Sequence, residues 1–186
     1  GHLGPMSRIY PDEVAGPYDP PPRSLTDKAG RDIEIRRFED DMEALVSMYL
    51  DFDPEDRAQG IPPTTDEQIR EWLDTIVTEA GVNVIAWHDG DAVGHATLVP
   101  DFDDNEGTEG LDEFELAIFV LAEYQESGIG SQLITALLGA GRAEEIDRVW
   151  LTVERWNHAA VALYEKVGFE PSDTGSFELE MGAKLR

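Results

Sequence analysis

Apolar residues recur with two different periods along the chain, and the period predicts which segments are strands and which are helices. Ile33 and Ile35 alternate with charged residues, as expected of a half-buried strand. From Met42 onward the spacing becomes helical, and a second helical stretch follows Thr64 or Thr65, either of which would cap it. One strand followed by two helices is therefore the predicted opening of the fold.

The rest of the chain continues to switch between β-prone and helical patterns. Two β-prone runs, residues 82–87 and 92–99, are separated by the turn sequence His-Asp-Gly-Asp and predict a hairpin. Residues 114–121 are mostly apolar, which is typical of a strand covered on both faces. The later predicted elements are a helix from Ile129, a strand at 148–153, a helix at 157–167 and two closing strands within 169–185.

The predicted order β-α-α-β-β-β-α-β-α-β-β describes a mixed α/β (α+β) domain around one sheet. A chain of 186 residues is expected to form one core. Residues 6–30 are rich in proline and show no apolar period, so we expect an extended N-terminal arm without a helix or strand. Residues 1–5 precede Met6 and resemble the remnant of an expression tag. The predicted domain is therefore residues 31–186.

The acidic residues change the picture of the surface. There are 40 acidic residues against 14 basic ones, which gives a formal net charge of -26. Such a field opposes binding to nucleic acid, whose affinity comes largely from cations that neutralise phosphates. The acids are spread through periodic segments and 41% of the residues are hydrophobic, which argues against a disordered acidic tail. We interpret the acidity as adaptation to a salt-rich cytoplasm, where a Debye length of ~3 Å at 1 M screens the repulsion.

Composition excludes further classes of site. The absence of cysteine excludes disulfides, thiolate metal sites and a cysteine nucleophile. The four histidines show no metal-ligand spacing, so no metal is predicted. No apolar run approaches the ~20 residues of a membrane span, and the start does not resemble a secretion signal. These observations predict a soluble cytoplasmic protein with no membrane partner.

A glycine-rich turn stands between the strand at 114–121 and the helix that follows it. Gly128 and Gly130 carry no Cβ, so a ligand could come close to the backbone there. Successive backbone N–H groups at the start of a helix form a site for an anion. The spacing matches neither a Walker loop nor a dinucleotide fingerprint. From the glycines alone, an anion site and a tight turn with no ligand remain equally good interpretations.

Three segments together resemble a known family. Residues 115–120 read Glu-Leu-Ala-Ile-Phe-Val, residues 124–131 read Tyr-Gln-Glu-Ser-Gly-Ile-Gly-Ser, and residues 157–169 contain Asn-x-Ala-Ala-x-x-Leu-Tyr-x-Lys-x-Gly-Phe. In this order they resemble the two main motifs of the Gcn5-related N-acetyltransferase (GNAT) family. The likeness implies a single-domain fold with a central, mostly antiparallel twisted sheet of about seven strands, flanked by about four helices.

The resemblance also implies a site for acetyl-CoA as co-substrate. The two central strands would splay into a V-shaped opening, and a bulge in the first would leave backbone groups near Ile118, Phe119 and Val120 free for the pantetheine arm. The other residues implied in binding are Gln125, Glu126, Ser127, Gly128, Ile129, Gly130, Ser131, Asn157 and Tyr164. Family members often carry Arg, Lys or Gly where this chain has Glu126 and Ser127, so backbone N–H groups would do most of the holding.

The likeness implies direct attack of a primary amine on the thioester, with Glu115 as general base and Tyr164 as proton donor to the CoA sulfur. Glu115 has a competing interpretation as one surface acid among many, and Glu113 is a poorer candidate for the base. The competing interpretation of Tyr164 is that it is a packing residue of a helix. Asn157 is expected to cap a helix, contact CoA, or do both.

The acceptor is less defined. The likeness implies a small-molecule or peptide amine, with the protein a monomer or homodimer. Acids in the segments 52–65 and 101–113 would favour a cationic amine, although salt adaptation explains the same acids. An acyl-CoA-binding module without turnover, or an acidic interaction protein that borrows the fold, are the alternatives to an enzyme.

Overall fold

The computed structural model describes residues 8–56, 61–101, 113–172 and 177–186. These residues form one sheet of 8 strands in the order β1-β2-β3-β4-β5-β6-β8-β7, together with four α-helices. The strands are β1 (Arg23–Thr26), β2 (Asp32–Arg37), β3 (Val82–His88), β4 (Asp91–Pro100), β5 (Glu113–Val120), β6 (Arg148–Glu154), β7 (Glu170–Ser172) and β8 (Glu178–Lys184). The helices are α1 (Met42–Leu50), α2 (Asp66–Ile76), α3 (Ile129–Ala143) and α4 (His158–Lys166).

Neighbouring strands run antiparallel except for the parallel pair β5 and β6, so the predicted mixed, mostly antiparallel sheet is confirmed. The sheet has one strand more than predicted. β1 lies in the N-terminal arm, where no strand was expected, and pairs with β2 in a register that sets Leu25 opposite Ile33. Four residues with one apolar side chain are too short to show a period, which is why the pattern missed it.

The two faces of the sheet carry separate clusters of buried side chains. On the face covered by α3 and α4, which we call the α3 face, Leu116 packs with the fully buried Leu133 and Leu137 of α3. On the other face, which we call the α1 face, α1 and α2 cover β3 and β4, and Phe119 packs at the edge of their cluster. Because successive side chains of a strand point to opposite faces, β5 contributes to both.

An aromatic cluster on the α1 face is built around a buried polar chain. The ring of Tyr49 lies against those of Trp72 and Phe119 at centroid distances of 5.1 and 5.6 Å. The hydroxyl of Tyr49 lies 2.6 Å from Nδ1 of His95, whose Nε2 lies 2.8 Å from Oδ1 of Asn83. Burial lowers the pKa of His95 to about 3, so the ring stays neutral and one hydrogen-bonding arrangement holds it in place.

Helix ends follow the capping signals in the sequence. Oγ1 of Thr65 accepts a hydrogen bond from the backbone N–H of Gln68 at 3.2 Å, so Thr65 is the cap of α2. The helix ends at Ile76, and Val77 is its C-cap. None of the helices in the described part of the chain is long and apolar enough to cross a membrane.

The N-terminal arm wraps from one face of the sheet to the other. At its start, Arg8 stacks on the ring of Trp150 on the α1 face. The backbone N–H of Ala15 then donates to the carbonyl of Lys184 at 2.8 Å, at the end of β8. Farther on, the hydroxyl of Tyr18 donates to the carbonyl of Val167 at 2.9 Å, beside α4. The arm therefore closes one side of the molecule before the chain enters β1.

Candidate active site

A V-shaped cleft opens between β5 and β6. The two strands pair only from Glu113–Arg148 to Glu115–Trp150. Beyond that point β5 continues to Val120 and β6 to Glu154 without pairing to each other. The predicted splay of the central strands is thus present, and it leaves one edge of β5 open.

The ladder with β4 shows which backbone groups of β5 face the cleft. At the two ends of β5, the carbonyl of Glu113 and the N–H of Leu121 bond to the chain of β4 or its continuation, each at 3.0 Å. Backbone groups of alternate residues point to opposite sides of a strand. The N–H and C=O of Ile118 and Val120 therefore face the cleft, whereas those of Phe119 face β4.

The bulge expected in β5 is wrong. The register between β4 and β5 runs without a break from Gly94–Val120 to Pro100–Phe114. An irregularity lies instead between β3 and β4, next to Ala86 and Trp87. Departure of β6, rather than an extra residue in β5, is what frees the backbone groups of the open edge.

The turn after β5 is shaped by two residues in the left-handed region. Glu126 has φ 58° and is exposed, and Gly128 has φ 95° and forms the N-cap of α3. Between them Ser127 is buried, and its Oγ donates to the carbonyl of Tyr124 at 2.6 Å. Ser127 thus holds the turn together, while the carboxylate of Glu126 is free to stay in water.

Space above the start of α3 fits a phosphate. A Cβ added to Gly128 would meet nothing within 4 Å, and one added to Gly130 would meet only Cδ2 of Leu163 at 4.0 Å. The first N–H groups of α3, at Ile129, Gly130 and Ser131, have no acceptor within the helix. Open space next to unpaired donors at a helix N-terminus is the arrangement that binds anions.

Gln125 connects the turn to the segment between α1 and α2. Its Nε2 donates to the carbonyl of Val120 at 2.9 Å and lies 3.2 Å from Oδ2 of Asp56. One side chain therefore joins the open edge of β5 to the acidic segment that follows α1. The sequence analysis had assigned Gln125 to the turn but did not anticipate either contact.

The remaining candidate residues lie on α4 and β5. Oδ1 of Asn157 accepts from the N–H of Ala160 at 3.2 Å, so Asn157 caps α4. Tyr164 is half-buried, its ring lies 5.9 Å from that of Phe169, and burial raises the pKa of its hydroxyl to about 12. Tyr164 packs against the α3-face cluster, so it approaches the cleft from that face.

Glu115 lies on the α1 face, at the point where the splay begins. Its carboxyl pKa is raised, first by partial desolvation and then by repulsion from Asp101 and Glu178, against an opposing effect of Arg8. Glu115 is nevertheless exposed, so water screens part of these interactions.

A family model identifies the family of the chain. The model described as "Acetyltransferase (GNAT) family" matches residues 42–169, more than two thirds of the chain. The chain belongs to this family. A comparison with curated protein sequences gives no match.

Solved structures of GNAT proteins share the fold. The GNAT domain of PAT from S. lividans is 18% identical with a TM-score of 0.71, and the match covers 88% of this chain and 97% of that one. Ribosomal-protein-alanine N-acetyltransferase from Brucella melitensis is 25% identical with a TM-score of 0.64, covering 81% and 99%. The protein yncA from Salmonella typhimurium, described with its cofactor acetyl-CoA, is 16% identical with a TM-score of 0.61, covering 83% and 94%.

Arg8 is a residue at the GNAT cleft that sequence reasoning missed. It stacks on Trp150 at 3.7 Å, and its Nη1 lies 3.1 Å from Asp101 and 2.9 Å from Glu113. Its Nε lies 3.5 Å from Glu180 of β8. No local pattern marks Arg8, because its partners are brought to it only by the fold. Two acids of the segment 101–113, which was predicted to favour a cationic amine, are therefore paired with a cation.

Other acids of the segment 101–113 lie outside the described residues: Asp103, Asp104, Glu106, Glu109 and Asp112. A groove of about 730 Å³ occurs elsewhere, beside β1, β2 and the β3–β4 turn, and is lined in part by Leu25, Trp87 and Gly90. It contains none of the residues placed at the cleft, and we do not assign the chemistry to it.

Proposed function

We propose that the protein transfers an acetyl group from acetyl-CoA to a primary amine by direct attack within a ternary complex. The observation that carries this proposal is the open edge of β5, which leads directly into the anion-binding turn at the start of α3. An extended arm that ends in a pyrophosphate requires these two features in this order: unpaired backbone groups along a strand, then N–H groups around a small open space.

Binding of acetyl-CoA is assigned to backbone groups for the most part. The N–H groups from Gly128 to Ser131 would hold the pyrophosphate, and the backbone of Ile118 and Val120 would bond the pantetheine arm. The carbonyl of Val120 also accepts a hydrogen bond from the side chain of Gln125, so the pantetheine arm would share this acceptor or displace Gln125 from it. An N–H of the open edge would polarise the thioester carbonyl.

In the reaction, the amine nitrogen attacks the thioester carbonyl carbon, the new C–N bond forms, and the C–S bond breaks. Glu115 takes a proton from the amine, directly or through water, because its raised pKa makes it a better base than an ordinary surface acid. Tyr164 gives a proton to the departing thiolate, since a pKa of about 12 keeps its hydroxyl protonated at neutral pH.

The acidic composition supports a salt-rich cytoplasm as the setting of this activity. Among the described acids only Asp27 is buried, and it accepts hydrogen bonds from two backbone N–H groups and from the guanidinium of Arg31. The other described acids face solvent at least in part, where hydrated carboxylates maintain solubility at high salt.

A thermal-shift and thiol-release experiment tests the function. In molar KCl, acetyl-CoA should raise the melting temperature, because a ligand at a hundredfold excess over its Kd stabilises the native state by about 2.7 kcal/mol. A panel of primary amines should then release free CoA thiol. The variant Gly130→Val, whose side chain would fill the space above the turn, should lose the shift while keeping its own melting transition.

Acetyl-CoA binding without thiol release from any amine would identify a binding module rather than an enzyme. No shift at any salt concentration would refute acetyl-CoA binding, and the proposed function with it.

A further inference from the structure

The side chains that line the cleft on the α1 face differ from those on the α3 face. By alternation along β5, the residues that point to the α1 face after Glu115 are Ala117 and Phe119. Along β6 they are Thr152, which is exposed, and Glu154, which is half-buried. With CoA assigned to the open backbone edge and to α3, this side of the cleft is where the acceptor has room.

Phe119 presents a fixed apolar surface to this side. Its ring lies in edge-to-face contact with those of Trp72 at 5.4 Å, Tyr49 at 5.6 Å and Phe52 at 6.2 Å. The hydrogen bond of Tyr49 to His95 ties the cluster to β4. Phe119 is only half-buried, and β6 has already departed at its level, so part of the ring remains uncovered.

Two exposed aromatic side chains lie near the ends of β6 and β8. Trp156 lies two residues after β6 and is 71% exposed, and Phe177 immediately precedes β8 and is 93% exposed. The N–H of Arg155 donates to the carbonyl of Phe177 at 3.3 Å, so the chain after β6 lies beside the start of β8. No other Phe, Tyr or Trp in the described part of the chain is classed as exposed. In a chain of net charge -26, an uncovered Trp156 just beyond the strand that forms one wall of the cleft is consistent with a site for an apolar ligand group.

Charge on the same side of the cleft favours an amine. Glu115 and Glu154 carry carboxylates that face the α1 side. Arg8, a cation on the same side, is already paired with Asp101 and Glu113. The small side chain of Ala117 leaves room between Glu115 and Phe119. Glu115 and Phe119 are four residues apart along β5, about 13 Å. An aromatic ring in contact with Phe119 and lying over Ala117 would therefore place an amine on a linker of two or three carbons beside Glu115.

We propose that the acceptor is a small primary amine joined by a short linker to an aromatic or other bulky apolar group. The apolar group would lie against Phe119, with Trp156 at the rim, and the amine would lie toward Glu115. This inference rests on the proposed function, because it identifies the substrate class of the same cleft.

Steady-state kinetics with matched amines test the inference. We expect 2-phenylethylamine to show a KM at least about 10-fold lower than n-butylamine, in the range by which an apolar pocket discriminates. Phe119→Leu and Trp156→Ala should each reduce this preference several-fold. Trp156 is exposed, so its replacement leaves folding intact. The matched control is Phe114→Leu, on the same strand but packed on the α3 face, which should keep the preference.

Calorimetric titration of 2-phenylethylamine into the protein with CoA separates this inference from the proposed function. Binding that weakens in Trp156→Ala, without turnover of any amine, would support the site and refute the enzyme. Turnover of n-butylamine or spermidine at a KM equal to or below that of 2-phenylethylamine would support the enzyme and overturn the inference. An equal preference for 2-phenylethylamine in the wild type, in Phe119→Leu and in Trp156→Ala would overturn the inference as well.

Discussion

Tyr164 and Glu115 approach the cleft from opposite faces of the sheet. Tyr164 packs against the cluster of the α3 face, whereas Glu115 lies on the α1 face. A proton donor for the thiolate belongs on the side of CoA, and a base for the amine belongs on the side of the acceptor. The splay between β5 and β6 is the opening through which a thioester would be in reach of both.

Replacing Tyr164 by Phe removes the hydroxyl and keeps the ring. If the hydroxyl protonates the leaving thiolate, turnover should fall by about 10- to 1000-fold, with little change in acetyl-CoA affinity. Stopped assays of thiol release, paired with calorimetry of acetyl-CoA, measure the two quantities. Tyr18→Phe is a suitable control, since its hydroxyl binds the carbonyl of Val167 instead. Unchanged turnover in Tyr164→Phe would leave Tyr164 with a packing role only.

Glu115→Gln removes the charge at nearly constant shape. Because the pKa of Glu115 is raised, wild-type kcat/KM should fall as the pH drops through a value above the ordinary one for Glu. In the variant this acidic limb should disappear, and kcat/KM at neutral pH should be lower by about 100-fold or more. Glu71→Gln, an exposed acid on α2, serves as control. A variant with wild-type kcat/KM and the same pH profile would show that another group is the base.

At the scale of the elements, the hydrophobic periods were sufficient to predict most of the strands and helices. The strand predicted at 148–153 is β6 (Arg148–Glu154), and the helix predicted from Ile129 is α3. β1 could not be predicted, because its place in the sheet depends on Ile33 and Ile35 across the ladder rather than on its own residues. The bulge came from the family likeness and not from the residues, and the unbroken register with β4 shows that the likeness did not extend to it.

The candidate site also contains one part that the sequence predicts and another that it does not. The turn with Gly128 and Gly130 is local, so its conformation could be predicted from a short run of sequence. The contact of Gln125 with Asp56 and those of Arg8 join residues that are far apart in the chain. Such contacts leave no periodic signal, and only the assembled sheet reveals them.

At the scale of the whole molecule, the net charge of -26 opposes folding at low salt. Some exposed ion pairs work in the other direction, such as Arg70 with Glu43 and Asp66. Salt screens both the repulsion among the acids and the attraction within these ion pairs. Exposed pairs contribute only about 0–1 kcal/mol each to stability. With 40 acids against 14 bases, most acids have no cation to pair with. Screening of the repulsion should therefore dominate.

The melting temperature should accordingly rise between about 0.1 M and 1 M KCl, where the Debye length falls from ~10 Å to ~3 Å. Differential scanning calorimetry at constant pH measures the change. Sucrose at equal osmolality is the control, since it stabilises by exclusion from the surface and does not screen charge. A melting temperature that stays constant or falls with KCl would contradict adaptation to a salt-rich cytoplasm.

The course of the N-terminal arm also determines when the contacts of the arm can form during synthesis. Arg8 reaches across the seam, from Asp101 and Glu113 on one half of the sheet to Trp150 and Glu180 on the other. Trp150 and Glu180 are translated long after Arg8, so the docking surface of the arm is complete only when β8 has left the ribosome. Residues 142 and 172 positions apart in the sequence thus join through Arg8, and these contacts can form only after β8 has been synthesised.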